Sequence, residues 1–369
     1  MRNLIVILAF MSLFGCQTGS VKDTRDLSTV SFYVGTYTGS GSRGIYKCLL
    51  LNGKIELTGL AAETENPSFL AFSTDGEFLL AVNENSPEGT VESYRVKDDS
   101  LVLTGSSSSG GAHPCYLTIN KNNYVLTANY SSGTVGLLRM SGTGKLGELL
   151  DVQQHTGSGI TERQQEPHAH SAVFEPGYTK IISADLGTDE LWFSDLDTIR
   201  GKFLPAEQQR LQLNPGAGPR HLSFHPNGSW IYVVNELNST VTLVKRNAGG
   251  IFEKGPSFET LPEDYNGDNY CADIHISSDG KFVYASNRGN NSIVIFKADQ
   301  KDGTLKPVGY QSTCGEWPRN FALTPGEEYL LVANQNSDNI VSFKRDNYTG
   351  LIEPVDTISI PSPVCVLFR

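Results

Sequence analysis

The sequence predicts an all-β chain folded as a seven-bladed β-propeller, and three observations carry that prediction. First, Gly218–Glu236, GPRHLSFHPNGSWIYVVNE, reads as two antiparallel strands, His221–His225 and Ser229–Asn235, around a Pro226-Asn227-Gly228 turn. Asn-Gly between apolar runs signals a hairpin because both residues tolerate positive φ. Second, the unit recurs, with an Asn or Asp anchor at 83, 129, 185, 235, 287 and 334. A period of about 50 residues with four short strands per unit marks a propeller. Third, one further unit is split. The chain ends on a first strand, Pro363–Phe368, and begins on a second strand, Ser31–Thr38. Pairing the C-terminal strand with the N-terminal strands closes the ring and removes its open edges.

Taken in order, Met1–Gly15 stands apart from the fold. Arg2 precedes an apolar run, Leu4–Phe14, too short to span a bilayer, and Leu13-Phe14-Gly15-Cys16 follows. This pattern reads as a signal peptide ending in a lipobox-like site, with Cys16 the lipidated first residue of the exported chain. Polar residues 16–27 read as a tether, and residues 28–369 as one propeller domain. The loop Gly39–Gly44 matches GxGxxG formally, but it lies between two strands and reads as a hairpin loop.

Six full copies follow. Their first strands open at Pro67, Pro114, Ala169, His221, Cys271 and Pro318, and their second strands end at the six anchors. A third strand follows each, as at Thr90-Val91, Thr134-Val135, Thr240-Val241, Ser292-Ile293 and Asn339-Ile340. Of the remaining cysteines, Cys48, Cys115, Cys271, Cys314 and Cys365, none has CxxC or zinc spacing, and most sit in apolar strand runs as small hydrophobes. The formal charge of −11 argues against a nucleic-acid partner. No GxSxG elbow and no P-loop is present.

If the first strand of each copy is innermost, its start and the end of the second strand face one mouth of the channel. Polar residues at these two slots cluster in copies three to six: His168, His170, Arg220, Glu236, Arg288 and Arg319. Converging guanidinium groups make an anion pocket, because their forks match carboxylate or phosphate oxygens. The plainer alternative is that Arg220–Glu236 and Arg288–Asp273 are ion pairs tying strands together. Arg163, in the polar loop Thr156–Gln165, is placed to overhang the mouth; His221, Asn235 and Asn287 adjoin the same slots and join Arg319 as candidate substrate-binding residues. His168-Ala169-His170 on a strand points both rings to one face. With no third ligand in clear spacing, the pair reads as a general base or acid and not as a metal site. His225 and His275 read as packing residues, and His113 and His155 as loop residues.

At YVGTYT (Tyr33–Thr38), EPHAHS (Glu166–Ser171), GPRH (Gly218–His221), NE (Asn235-Glu236) and SNRG (Ser286–Gly289), the sequence resembles the lactonase family of seven-bladed propellers. That family includes bacterial 6-phosphogluconolactonases and is similar to fungal carboxymuconate lactonising enzymes. The resemblance implies a cofactor-free site at the channel mouth built from His168 or His170, Arg220, Glu236 and Arg288. It also implies hydrolysis of a small sugar-derived lactone by His-activated water, with arginine stabilising the oxyanion. A lactonising cycloisomerase, or an inert surface propeller binding glycan or protein, stays open beside it. The lipobox-like terminus departs from the family pattern, since a phosphorylated sugar lactone is a cytoplasmic metabolite. Membrane attachment is expected only through the lipid on Cys16, and oligomeric state is not legible in the sequence.

Overall fold

The computed structural model of the protein describes residues 29–98, 100–177 and 179–369; the leader and the lipidation site at Cys16 lie outside the described residues. Seven four-stranded antiparallel sheets form the ring. The split unit becomes blade 1, in which Pro363–Phe368 pairs with Thr29–Thr36, followed outward by Gly44–Leu51 and Lys54–Glu63. The six full copies become blades 2 to 7. Their first strands are Leu70–Phe72, Pro114–Ile119, Ala169–Phe174, Pro219–Phe224, Tyr270–Ile276 and Pro318–Leu323. Each first strand touches the first strand of the next blade, and Pro363–Phe368 closes the circuit, so the first strands line the axis.

The second strands, such as Trp230–Asn235 and Phe282–Arg288, are buried on both faces. Their alternation divides them between neighbours: Ile231 and Val233 pack with Ile182 and Phe193 of blade 4, whereas Tyr232 and Val234 pack with Val283 and Ala285 of blade 6. A strand with apolar side chains on both faces needs a sheet on each side, and a closed ring supplies one to every blade. The anchors clamp each blade. Asn235 Nδ2 donates to Thr240 Oγ1 and Thr242 Oγ1 (both 2.8 Å), and Asn287 Nδ2 donates to Thr260 O (2.8 Å) and Ser292 Oγ (3.2 Å).

Each full-length inner strand carries a register shift near its start. In blade 5, Pro219 faces Asn235 but His221 faces Val234, leaving Arg220 as an extra residue. His170, Arg319 and Cys115 are the extra residues of blades 4, 7 and 3 in the same way. A β-bulge breaks the in–out alternation and re-aims a side chain. Blade 2 differs: Pro67–Phe69, expected within the strand, lie outside it. Asn66 adopts a left-handed φ of 45° and its carbonyl accepts from Ser68 N at 2.8 Å, turning the chain away from the ladder.

Three histidines outside the channel mouth keep the placements expected of them and gain polar partners. His155 lies in the loop after Asp151–Gln154, as expected, but is buried: it stacks on Trp192 at 4.1 Å and bonds Asp185 Oδ2 through Nδ1 at 2.7 Å. His275 packs edge-on to Phe321 at 4.8 Å near the far end of its strand and bonds Asp273 Oδ2 through Nε2 at 3.1 Å. His225 packs on Trp230 and bonds Gly280 O at 3.1 Å.

Ring closure makes a direct prediction. Truncation after Ser362 strips blade 1 of its inner strand and exposes the edge of Thr29–Thr36. The shortened chain is expected to lose its single cooperative melt by circular dichroism; a transition within a few degrees of the full chain would show that closure is dispensable.

Candidate active site

At one end of the channel lies a cavity of about 430 Å³, lined by residues of blades 1 to 7. The slot after each anchor supplies Glu84, Tyr130, Glu236, Arg288 and Gln335. The bulge slot supplies Cys115, His170 and Arg319, and Tyr37 enters from blade 1. Arg163 reaches in from the loop before blade 4. That loop is pinned by its neighbour Gln164, fully buried, whose Nε2 donates to Leu186 O (2.7 Å) and Asp189 Oδ1 (2.6 Å).

Glu236 is the hub. Its Oε2 accepts from Arg220 Nε at 3.1 Å and meets Arg288 Nη2 at 2.8 Å; its Oε1 accepts from Arg163 Nη2 at 3.0 Å. Burial opposes its ionisation, yet Arg288, Arg220 and Arg163 outweigh burial and hold the carboxyl at about 2. Arg288 is further fixed by Tyr270 O and Cys271 O, both at 3.1 Å, and stands over the Trp317 ring at 5.3 Å. Its Nη1 carries no hydrogen bond among the described residues. The Arg288–Asp273 ion pair expected as one alternative does not form, because Arg288 turns to Glu236.

Opposite the hub, Arg319 Nη2 donates to Tyr37 Oη at 2.8 Å, and Tyr37 Oη donates to Glu84 Oε2 at 2.8 Å. Arg319 makes no other hydrogen bond among the described residues, so it brings unspent donors to the cavity. Burial pushes the Tyr37 hydroxyl far above its ordinary range, so it stays protonated.

His170 lies between these clusters, buried, its Nδ1 3.5 Å from Cys115 Sγ and its ring edge-on to Tyr130. Burial, then the charge of Arg220, drives its pKa well below 6.5. The imidazole is therefore neutral at physiological pH, with a lone pair available to take a proton.

The remaining candidates sit elsewhere. His168 does not share the face of His170: it precedes the strand, the bulge breaks the alternation, and its ring stacks flat on Tyr130 at 4.3 Å with Nδ1 on Tyr130 O at 3.0 Å. It supports Tyr130 from outside the cavity. Arg220 is buried behind Glu236 and does not line the cavity. His221 lies deeper still, and the side chains of Asn235 and Asn287 are consumed inside their blades. Tyr37, Glu84 and Tyr130 stand at slots the repeat identifies. Tyr270 and Trp317 went unrecognised; each immediately precedes the bulge pair of its strand, and an aromatic there was the available signal.

Comparison with known proteins fits this geometry. The model of the Lactonase, 7-bladed beta-propeller family matches residues 31–368. The chain belongs to this lactonase family. A Bacillus subtilis (strain 168) relative called 6-phosphogluconolactonase is 36% identical over 343 residues, covering 91% of this chain and 97% of the relative. The solved structure of the Pseudomonas aeruginosa periplasmic gluconolactonase superposes with a TM-score of 0.88 at 30% identity, covering 92% of this chain and 99% of that one. A Lactobacillus plantarum protein of known structure is similar at 32% identity and a TM-score of 0.88, covering 93% and 100% of the two chains.

The hub predicts a stability effect. Glu236→Gln leaves three guanidinium groups around a neutral amide, and breaking such a buried pair costs about 3–5 kcal/mol. Urea unfolding at pH 7 checks it; a loss below about 1 kcal/mol would deny Glu236 a structural role. Because its folded pKa of about 2 lies below the ordinary 4.5, the stabilisation is complete above pH 4.5 and fades as pH falls toward 2.

Proposed function

We propose that this protein hydrolyses a sugar-derived lactone, and the observation that carries the proposal is a buried histidine sharing one cavity with the guanidinium groups of Arg288 and Arg319. Opening a lactone needs a proton taken from water and a place for the charge that develops on the carbonyl oxygen. His170 removes the proton from the attacking water. Arg288, oriented by Glu236 and carrying an unspent Nη1, stabilises the oxyanion and holds the carboxylate into which it collapses, while the imidazolium of His170 returns its proton to the departing ring oxygen; Arg319, across the cavity, offers donors to the substrate's remaining hydroxyl or phosphate oxygens. Tyr37, Glu84 and Gln335 offer hydrogen bonds to sugar hydroxyls. Three lining arginines, with Arg220 behind them, against two glutamates leave the site positive, which suits an anionic transition state and product. Arg220 contributes from behind, by fixing Glu236.

The names of the relatives support the same class of substrate: one is called a 6-phosphogluconolactonase, another a periplasmic gluconolactonase. The leader Met1–Gly15 and Cys16 support export and lipid anchoring at the cell envelope, where an unphosphorylated lactone is the accessible substrate. Metabolic labelling with palmitate tests the anchor. The wild-type chain is expected to incorporate label and Cys16→Ser is not; equal labelling would refute lipidation at Cys16.

A panel of gluconolactone, its 6-phosphate and a muconolactone, followed by proton release, tests the activity. Turnover of neither sugar lactone would sink the proposal, and turnover of muconolactone alone would move the enzyme to lactonising chemistry. Removal of one oxyanion donor costs about 10²–10³ in kcat. That loss is expected for Arg288→Ala, with partial retention in Arg288→Lys, which keeps the charge opposite Glu236. Because catalysis needs neutral His170, the acid limb of kcat/KM is expected below pH 6.5 and should vanish in the residual activity of His170→Ala. A limb at or above 6.5 would point to a different base.

A further inference from the structure

Beneath the cavity, a buried column runs down the channel from the hub. Arg220 is among the largest fully buried side chains. Its Nε is spent on Glu236, and its Nη1 donates to Ala272 O at 2.6 Å and faces His221 Nε2 at 3.2 Å. His221 Nδ1 meets Asp273 Oδ1 at 2.8 Å. The second Asp273 oxygen receives Asn320 Nδ2 (2.6 Å), His275 Nε2 (3.1 Å) and Phe321 N (3.3 Å), and Ile274 N donates to Oδ1 at 3.0 Å. His275 ends the column, its side chain 38% exposed on the side away from the cavity.

These contacts fix a tautomer. A carboxylate only accepts, so His221 Nδ1 must carry a proton; a guanidinium only donates, so His221 Nε2 must carry a lone pair. Only the neutral Nδ1–H form satisfies both neighbours. Burial, then Arg220, holds the His221 pKa down at about 4, so that form persists at neutral pH. The bulge makes the arrangement possible by directing the adjacent residues Arg220 and His221 to one side.

We propose that Asp273 and His221 are positioning residues for the catalytic centre: Asp273 sets the tautomer of His221, and His221 aims Arg220, which fixes Glu236 and through it Arg288. His221 is thereby a positioning residue and not a substrate-binding one. The kinetic part of this inference rests on the lactonase reading; the tautomer does not.

Asp273→Asn is the sharpest variant. Three donors face one oxygen and two face the other, so the retained amide oxygen serves the larger set and the NH₂ turns toward His221. That forces the imidazole to Nε2–H, donor against donor at Arg220. Imidazole ¹⁵N spectra of the full chain should show His221 protonated at Nδ1 in the wild type and at Nε2 in Asp273→Asn. A wild-type proton on Nε2 would overturn the assignment whatever the activity. On a lactone that the wild type turns over, Asp273→Asn is expected to lose about 10–100-fold in kcat with little change in KM. The loss should shrink when Arg220→Lys is already present, because both changes act through one contact. Full additivity, or unchanged kcat, would overturn the proposal. Should Asp273→Asn fail to fold, the pair His221→Gln and His221→Phe decides. Gln keeps an acceptor for Arg220 and should retain more kcat than Phe at equal melting temperature; equal rates would refute the positioning role. No turnover by the wild type on any lactone would instead remove the lactonase reading and leave the ¹⁵N result to judge the column.

Discussion

One extra residue near the start of every inner strand except that of blade 2 is the constraint from which the site follows. In a regular strand, successive side chains alternate, and consecutive residues at the channel wall would point apart. The bulge at Arg220 instead turns Arg220 and His221 together into the channel, and its counterparts aim His170 and Arg319. Six of the seven blades place such a position on one circle. Residues more than a hundred positions apart, such as His170 and Arg319, therefore meet in one cavity without any loop having to travel. The second strands behind them, buried on both faces, hold that circle against the repulsion of like charges.

Electrostatics then sorts the residues into roles. One carboxylate among three guanidinium groups stays ionised despite burial, and it confines those cations to fixed directions. The same field, acting on a desolvated imidazole, keeps His170 neutral. Without Glu236, the three arginines that line the cavity and Arg220 behind them would repel one another.

Below the cavity the polarity continues, in a column that alternates donors and acceptors from Glu236 through Arg220 and His221 to Asp273. Most groups in the column have defined partners, which is why burying so many polar atoms is tolerable. The channel is thus a support for the mouth as well as an absence of packing at the axis. Cys115 and Tyr116, packed beside His170 and His221, fill the same wall with apolar volume.

Sequence by itself determined the architecture. Turn chemistry at sites such as Asn227-Gly228, the buried two-faced runs and the split unit at the termini are local or periodic signals, and they survive into the fold almost unchanged. The slots of the repeat that pointed to His170, Glu236, Arg288 and Arg319 also hold Glu84, Tyr130 and Gln335, because a repeated backbone places equivalent residues equivalently. Direction was beyond it. Alternation on a strand put His168 and His170 on one face, and the bulge separated them; adjacency put Asn235 and Asn287 at the mouth, and their short side chains were taken up inside the blades. Whether Arg288 would pair with Asp273 or Glu236 depended on distances across two blades, and only the tertiary structure decides between partners that the chain brings equally near.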